Sequence, residues 1–334
     1  MKATSKIVIA GELNLDNPAI LLAVRALFTR YASKPAAEIP SAFVLMGNFI
    51  SQAGLAGAPG SGSIEHKEIF NGLAAVFSDF PTVLARTTLV FVPGDQDAWP
   101  SAFSAGSAIP LPRKPVPEMF TTRIRRVVAE ANREIWGRQK SSGVKEGEVV
   151  WTTNPSRLTW FDCVGEMVLF RDDFSGRLRR NAVRFSTPQG EEGQDDSEDV
   201  VMSGALSAAD AMETDGEERR EAEAESSDGG TSAEEQLDAD TLIARRLAKT
   251  IVDQSHLAPF PLHIRPIHWD YVGVMSLYPL PTALVVADAE APAFALNYMG
   301  CCVMNPGRLV RGQTRGASEL DRVGHDIATR RSLK

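Results

Sequence analysis

Four short polar clusters follow apolar runs in this chain: Glu12-Leu13-Asn14, Gly47-Asn48, Gly94-Asp95-Gln96 and Ala287-Asp288-Ala289-Glu290. Carboxylates such as Glu12, Asp95, Asp288 and Glu290 are hard ligands for Mg²⁺ or Ca²⁺. The amides Asn14, Asn48 and Gln96 are much poorer ones. Hydrolysis of a phosphate ester by a metal pair needs carboxylates and imidazoles converging on one place, where the ions polarise phosphate and activate water. No histidine stands in any of these clusters, and Gln96 cannot act as an acid near neutral pH as histidine can. The set leaves room for a single weakly held Mg²⁺ or Ca²⁺ and weighs against two-metal hydrolysis. Taken alone, Glu12 and Asp95 are expected to be solvated loop acids.

Each cluster has to be placed by a strand. Residues 6–10, 42–46 and 88–92 are apolar runs that stop abruptly at Gly11, Gly47 and Pro93-Gly94. They read as buried strands feeding loops at their carboxyl ends, the edge at which open α/β sheets gather ligands. Between them Asn17 caps and Pro18 opens a helix with Ile20, Leu21, Val24, Leu27 and Phe28 at helical spacing. After a flexible loop at 51–63, Ser63 starts a second helix with Ile69, Leu73, Val76, Phe77 and Phe80 on one face. The order β-α-β-α-β predicts parallel strands with helices packed on them. The proline density of 109–117 predicts extended chain, and 118–137 a basic helix. Residues 157–161 and 167–170 read as an antiparallel pair, 240–253 as a helix, and 283–287, 294–298 and 301–304 as further strands.

The 334 residues suffice for one large domain or two ordinary ones, and 43% hydrophobic content provides a core. No apolar run is long enough to span a bilayer. Met1 to Ser5 lead straight into a strand, so no signal peptide is expected. Cys163, Cys301 and Cys302 form no CxxC pair and no disulfide framework, which makes a reducing compartment, cytosol or nucleus, the default. Residues 190–240 hold 19 Asp or Glu against Arg219 and Arg220, a charge of −17; the total of −8 leaves +9 for the rest. A basic body that tolerates polyanions or acidic partners thus carries an acidic stretch, 187–240, too polar to fold alone. The tail 308–334 is polar and expected to fray. His256, His263 and His268 match no zinc spacing. The five scattered tryptophans suit core or interface anchors better than a base-stacking platform. Arg123, Arg125 and Arg126 read as a solvated helix face.

The strand–loop layout resembles the calcineurin-like phosphoesterases, whose ligand motifs run Asp-x-His, Gly-Asp, Gly-Asn-His, a lone His and Gly-His-x-His. At those places stand Glu12-Leu13-Asn14, Gly47-Asn48, Gly94-Asp95-Gln96, loosely His256, and Ala287-Asp288-Ala289-Glu290. A further ordered set is more specific. It comprises Phe43-Val44-Leu45-Met46-Gly47-Asn48-Phe49, Phe91-Val92-Pro93-Gly94, Leu111-Pro112-Arg113 and Thr153-Asn154-Pro155-Ser156-Arg157. It continues with Asp253-Gln254-Ser255-His256-Leu257, Leu277-Tyr278-Pro279-Leu280-Pro281 and Asn305-Pro306-Gly307. In this order it is similar to the B-subunit family of eukaryotic replicative DNA polymerases, from about residue 6 to 307.

That resemblance implies an α/β phosphoesterase sandwich, two mixed β-sheets flanked by helices, formed by 1–186 and 241–307. A disordered acidic insertion, 187–240, interrupts it, and a flexible tail, 308–334, follows. Glu12, Asn14, Asn48, Asp95, Gln96, Asp288 and Glu290 become degenerate metal-site positions, with no catalytic residue, metal or other cofactor. The implied role is that of a nuclear, non-catalytic scaffold. Its partners would be the C-terminal region of a catalytic polymerase subunit and other replisome components, with DNA backbone as a further contact and no membrane. Polymerase epsilon is the first candidate, with alpha and delta as alternatives. An active metal-dependent phosphoesterase with an altered ligand set is the competing reading. Family members usually carry an N-terminal helical region and an OB-fold ahead of this domain. The expectation is therefore a fragment or shortened gene model lacking both, with closing strands after Asn305-Pro306-Gly307 absent.

Overall fold

The computed structural model describes residues 6–52, 63–97, 106–137, 146–160, 165–182 and 231–310. The chain divides into two compact units, 1–180 with 238–334, and 181–237. Outside the described residues lie 183–186, 187–230 of the expected insertion, 53–62 of the expected loop, Trp99, Cys163 and tail residues 311–334.

In the larger unit the first sheet runs β1 (Ile7–Ala10), β2 (Ala42–Met46), β3 (Thr88–Val92) and β4 (Glu148–Trp151), all parallel. Parallel neighbours need crossovers. These are α1 (Pro18–Ala32), α2 (Ser63–Phe77) with the short α3 (Pro81–Leu84), and α4 (Glu118–Trp136). Asn17 caps α1 as expected, its Oδ1 accepting from the Ala19 N–H at 3.0 Å. Strand side chains alternate between faces. Phe43, Leu45, Leu89 and Phe91 meet the helices, while Val44, Met46, Val90 and Val92 point the other way.

The second sheet contains β5 (Ser156–Trp160), β6 (Gly165–Arg171), β7 (Ala283–Ala287), β8 (Phe294–Tyr298) and β9 (Cys301–Asn305), in the spatial order β5-β6-β7-β9-β8. Its centre is parallel and its edge pairs antiparallel. Of the two sheets, then, this one mixes directions. Met167, Leu169, Val285 and Met304 face the first sheet and close a central apolar layer with Val44, Met46, Val90 and Val92. Val168, Phe170, Leu284, Val286 and Val303 face outward onto Leu247, Ala248, Ile251 and Val252. These last belong to α6 (Thr231–Asp253), and a further helix, α5 (Phe174–Arg180), follows β6. The result is an α/β sandwich of two sheets with helices on both outer faces. Cys301 and Cys302 point to opposite sides of β9.

Four features depart from the expectations. Strand β4 and helix α5 were not foreseen. Helix α6 begins at Thr231 rather than at 240, so residues 231–239 are helical where disorder was expected. At the centre of that run Ala233, Glu234, Glu235, Gln236 and Leu237 are strong helix formers. In the tail, the Leu309 N–H donates to the Gly11 carbonyl at 3.2 Å, and Arg308 Nε to the Ala289 carbonyl at 3.0 Å. Its first residues are therefore docked.

Candidate functional site: an arginine-filled rim

The carboxyl ends of β1, β2 and β3 deliver their loops to one rim, as expected. Glu12 follows β1 in a left-handed conformation, φ 53°. Its carboxylate accepts from Asn14 Nδ2 at 3.4 Å and Asn48 Nδ2 at 3.3 Å. Asn48 Oδ1 in turn accepts from the Gln96 N–H at 3.0 Å. Asp97, next to the expected cluster, does more to join these loops. It accepts from the Phe49 N–H at 2.7 Å, the Ile50 N–H at 3.2 Å and the Gly94 N–H at 2.8 Å. Burial pushes its carboxyl up to about 7, the three N–H donors offsetting only part of the effect.

The second sheet fills the rim with guanidinium groups. Arg171, the last residue of β6, is 1% exposed. It pairs with Glu12 and, at 2.8 Å, with Asp173, and its Nε donates to the Gly47 carbonyl at 2.8 Å. Burial would lower its pKa, but Asp173 and Glu12 outweigh that and raise it. Asp95, 4% exposed, meets Arg265 Nη2 at 2.6 Å, Arg177 Nη2 at 2.8 Å and Arg113 Nη2 at 3.3 Å. Burial alone would raise Asp95; Arg265 and Arg113 dominate and hold its carboxyl below the usual range. Asp172 lies 2.7 Å from Arg177 Nε and 2.8 Å from Arg265 Nε. Only the first of these contacts is an aligned hydrogen bond. Burial pushes Asp172 up, with Arg265 countering it and Asp95 adding to it.

Asp288 and Glu290, after β7, serve α5 instead. Asp288 Oδ2 accepts from the Ser175 N–H at 2.7 Å, and Oδ1 from the Glu290 and Ala291 N–H groups at 2.8 and 3.2 Å. Glu290 pairs with Arg179 at 2.8 Å and Arg180 at 3.3 Å. A Cβ on Gly176 would lie 1.9 Å from Glu290 Oε2, so glycine is what lets this carboxylate lie against α5. The loop after β7 thereby fixes the helix that sends Arg177 to Asp95.

The seven sequence-derived positions thus fall into two groups. Glu12, Asn14, Asn48, Asp95 and Gln96 do converge, while Asp288 and Glu290 hold a helix. The expectation that Glu12 and Asp95 are solvated acids is corrected. Asp95 is buried among three guanidiniums and Glu12 is mostly covered, because each has an arginine counter-ion from a distant segment. His263 and His268 are exposed and His256 half-buried, its Nδ1 accepting from the Ala258 N–H at 3.1 Å. Among the described residues no group of three or more His, Cys, Asp or Glu could hold a metal ion. The donor set does not fit a pair of divalent cations: its acids are already engaged by positive charge, and no imidazole joins them. Sequence reasoning missed Arg171, Arg177, Arg265, Asp172 and Asp97. Arg171-Asp172-Asp173 carried a usable signal, an apolar run ending in charged residues, as at the other strands. Arg265, in a proline-punctuated stretch, carried none.

The site is thus the rim of a two-sheet α/β sandwich whose acids are charge-compensated by arginines of the same chain. The family model for the B subunit of DNA polymerases alpha and epsilon matches residues 7–296, and the chain belongs to that family. The DNA polymerase epsilon B subunit of Schizosaccharomyces pombe is 32% identical over 321 residues, 96% of this chain and 43% of that protein. That of Saccharomyces cerevisiae is 30% identical over 310 residues, 92% of this chain and 39% of that protein. DNA polymerase epsilon subunit 2 of Mus musculus is 28% identical over 306 residues, covering 91% and 41%. The chain thus spans less than half the length of these relatives. Among solved structures, the crystal structure of TT1561 of Thermus thermophilus aligns over 91% of this chain and 90% of that one. Its identity is 12% and its TM-score 0.31, too low to bear on the fold.

Proposed function

We propose that this chain is the phosphoesterase-like part of an accessory subunit of DNA polymerase epsilon, a non-catalytic scaffold acting in nuclear DNA replication. It binds the C-terminal region of the catalytic subunit and joins it to other replisome components. The observation that carries the non-catalytic half is the rim itself, where Asp95 and Glu12 are engaged by Arg113, Arg171, Arg177 and Arg265 rather than free for ions. The choice of polymerase is supported by the names of the relatives. The anchors this reading assigns to the interface are aromatic side chains left at the surface. Trp269 is 79% and Tyr278 85% exposed, and Tyr271 lies between them in sequence.

The test is co-purification of the chain with tagged catalytic subunits of polymerases epsilon, alpha and delta. Retention by the epsilon C-terminal region, weakened by Trp269→Ala with Tyr278→Ala, is expected. Retention by alpha or delta instead would reassign the polymerase. Mn²⁺-dependent phosphodiesterase turnover that Asp95→Ala abolishes would establish the enzyme reading and overturn the scaffold.

A further inference from the structure

In a two-metal phosphoesterase the cations do two things: they cancel the mutual repulsion of the acids gathered at the rim, and they tie together the loops that carry them. Here Glu12, Asp95, Asp172 and Asp173 gather after β1, β3 and β6. Asp95 and Asp172 are buried and Glu12 and Asp173 partly covered, and carboxylates gathered this closely do not stay ionised without compensation. Arg113, Arg171, Arg177 and Arg265 supply four formal positive charges against these four acids, while the fifth acid of the rim, Asp97, is held by three backbone N–H groups instead.

The pattern of contacts follows the task. Arg177 and Arg265 each reach both Asp95 and Asp172, so two carboxylates bridge two cationic groups. Arg171 spans Glu12 and Asp173 and also holds the Gly47 carbonyl after β2. Arg113 and Arg265 arrive from segments outside the strands. Arg113 Nη2 also donates to the Gly106 carbonyl, and Arg265 Nη1 to the Ser107 carbonyl at 3.1 Å. The rim is thereby tied to chain that no strand carries. Guanidinium suits the role: it is permanently charged, planar and forked, and less strongly hydrated than an ammonium group.

We propose that these four guanidinium groups are the resident cations of the rim, doing the charge-balancing and loop-tying that divalent metals do in a two-metal site and keeping such metals out. This rests on the scaffold reading and adds what holds a metal-free rim together.

The experiment compares Tm in EDTA and in millimolar Mn²⁺ for the full chain, for Arg171→Met, for Arg177→Met, and for Glu12→Gln combined with Arg171→Met. The unaltered chain is expected to melt at the same temperature in both. Each single arginine variant is expected to melt at least about 6 °C lower in EDTA, as breaking one side of a buried ion pair implies. Mn²⁺ is expected to restore about half of that loss, because it enters the vacated site between carboxylates. The double variant, with one acid fewer, is expected to lie closer to the unaltered chain in EDTA and to gain little from Mn²⁺. The proposal is overturned if Mn²⁺ leaves both single variants unshifted, if neither folds even with Mn²⁺ present, or if the unaltered chain gains as much as they do. Failure of the scaffold reading has a separate signature, Mn²⁺-dependent phosphodiester turnover by the unaltered chain.

Discussion

Asn154 and Arg171 pair through a side chain that imitates a strand. Asn154 Nδ2 donates to the Arg171 carbonyl at 2.7 Å, and the Arg171 N–H donates to Asn154 Oδ1 at 3.0 Å. The backbone of the same asparagine exchanges hydrogen bonds with Arg113, at 2.7 and 3.1 Å. One fully buried amide therefore sets the positions of two rim arginines. Asn154→Ala leaves a buried N–H and a buried carbonyl without partners, and each such group costs about 1–3 kcal/mol. The expected loss is about 2–4 kcal/mol in urea denaturation. Asn154→Asp is expected not to recover it, since a carboxylate cannot donate to the Arg171 carbonyl.

Asp97 makes stability fall as pH rises. Its folded-state pKa is about 7 against an ordinary value of 3.8. Between about pH 4 and 7 the folded protein therefore holds a proton that the unfolded chain has released. Deprotonation opposes folding across that window and levels off above it, with an upper bound of about 4 kcal/mol at 1.36 kcal/mol per unit. Asp95, whose pKa is lowered, has the opposite sign and acts below about pH 4, where its stabilisation is lost as the carboxylate protonates. Urea midpoints of the unaltered chain are expected to decline from pH 5 to pH 8, and Asp97→Asn to flatten that decline.

The loops after β2 and β3 approach too closely for side chains at their glycines. A Cβ on Gly94 would stand 2.3 Å from Asn48 Oδ1 and 2.8 Å from the Asn48 nitrogen; one on Gly47 would stand 2.2 Å from Asp97 Oδ2. Gly94→Ala must push the loops apart, breaking the bonds to Asn48 and Asp97, and is expected to cost at least about 2 kcal/mol. Gly273 provides the control, since nothing lies within 4 Å of its Cβ position. Gly273→Ala is expected to be neutral or to stabilise by up to about 1 kcal/mol. Thermal unfolding of the two variants side by side checks both outcomes.

What was legible in the sequence was what depends on neighbouring residues. The first three strands announced themselves because each apolar run alternates between two buried faces and then stops at glycine, and the same stops located the rim. Helix α5 was not legible. It has seven residues with Gly176 inside, and it is helical because Asp288 receives the Ser175 N–H from 113 residues away. The rim arginines were hidden for a related reason. Arginine is ordinarily exposed, and what buries Arg265, at 0% exposure, is Asp95, 170 residues distant. Glu12 and Asp95 looked like solvated acids because their counter-ions lie in other parts of the chain. Strand β4 is four residues long and begins with exposed Glu148. It lies beside β3 through backbone pairing and the stacking of Trp151 on Phe91, neither of which a local pattern encodes.

That stack separates the two roles open to a tryptophan in this chain. Trp151 lies on Phe91 with centroids 4.1 Å apart and planes at 14°, and meets Phe70 edge-on at 5.8 Å. Trp269 has no such bed among the described residues and stands 79% exposed. Removing the first ring takes away both apolar contact and the seam that holds β4 to the sheet, so Trp151→Ala is expected to cost about 3 kcal/mol, with a lower unfolding midpoint. Removing the second takes away almost nothing the folded chain uses by itself, and Trp269→Ala is expected to stay within about 0.5 kcal/mol of the unaltered protein. Denaturant midpoints for the pair decide the matter. A large loss on removing Trp269 would mean that its ring packs within the chain and cannot serve as a surface anchor, while no loss on removing Trp151 would mean that β4 is held by its backbone pairing with β3 alone.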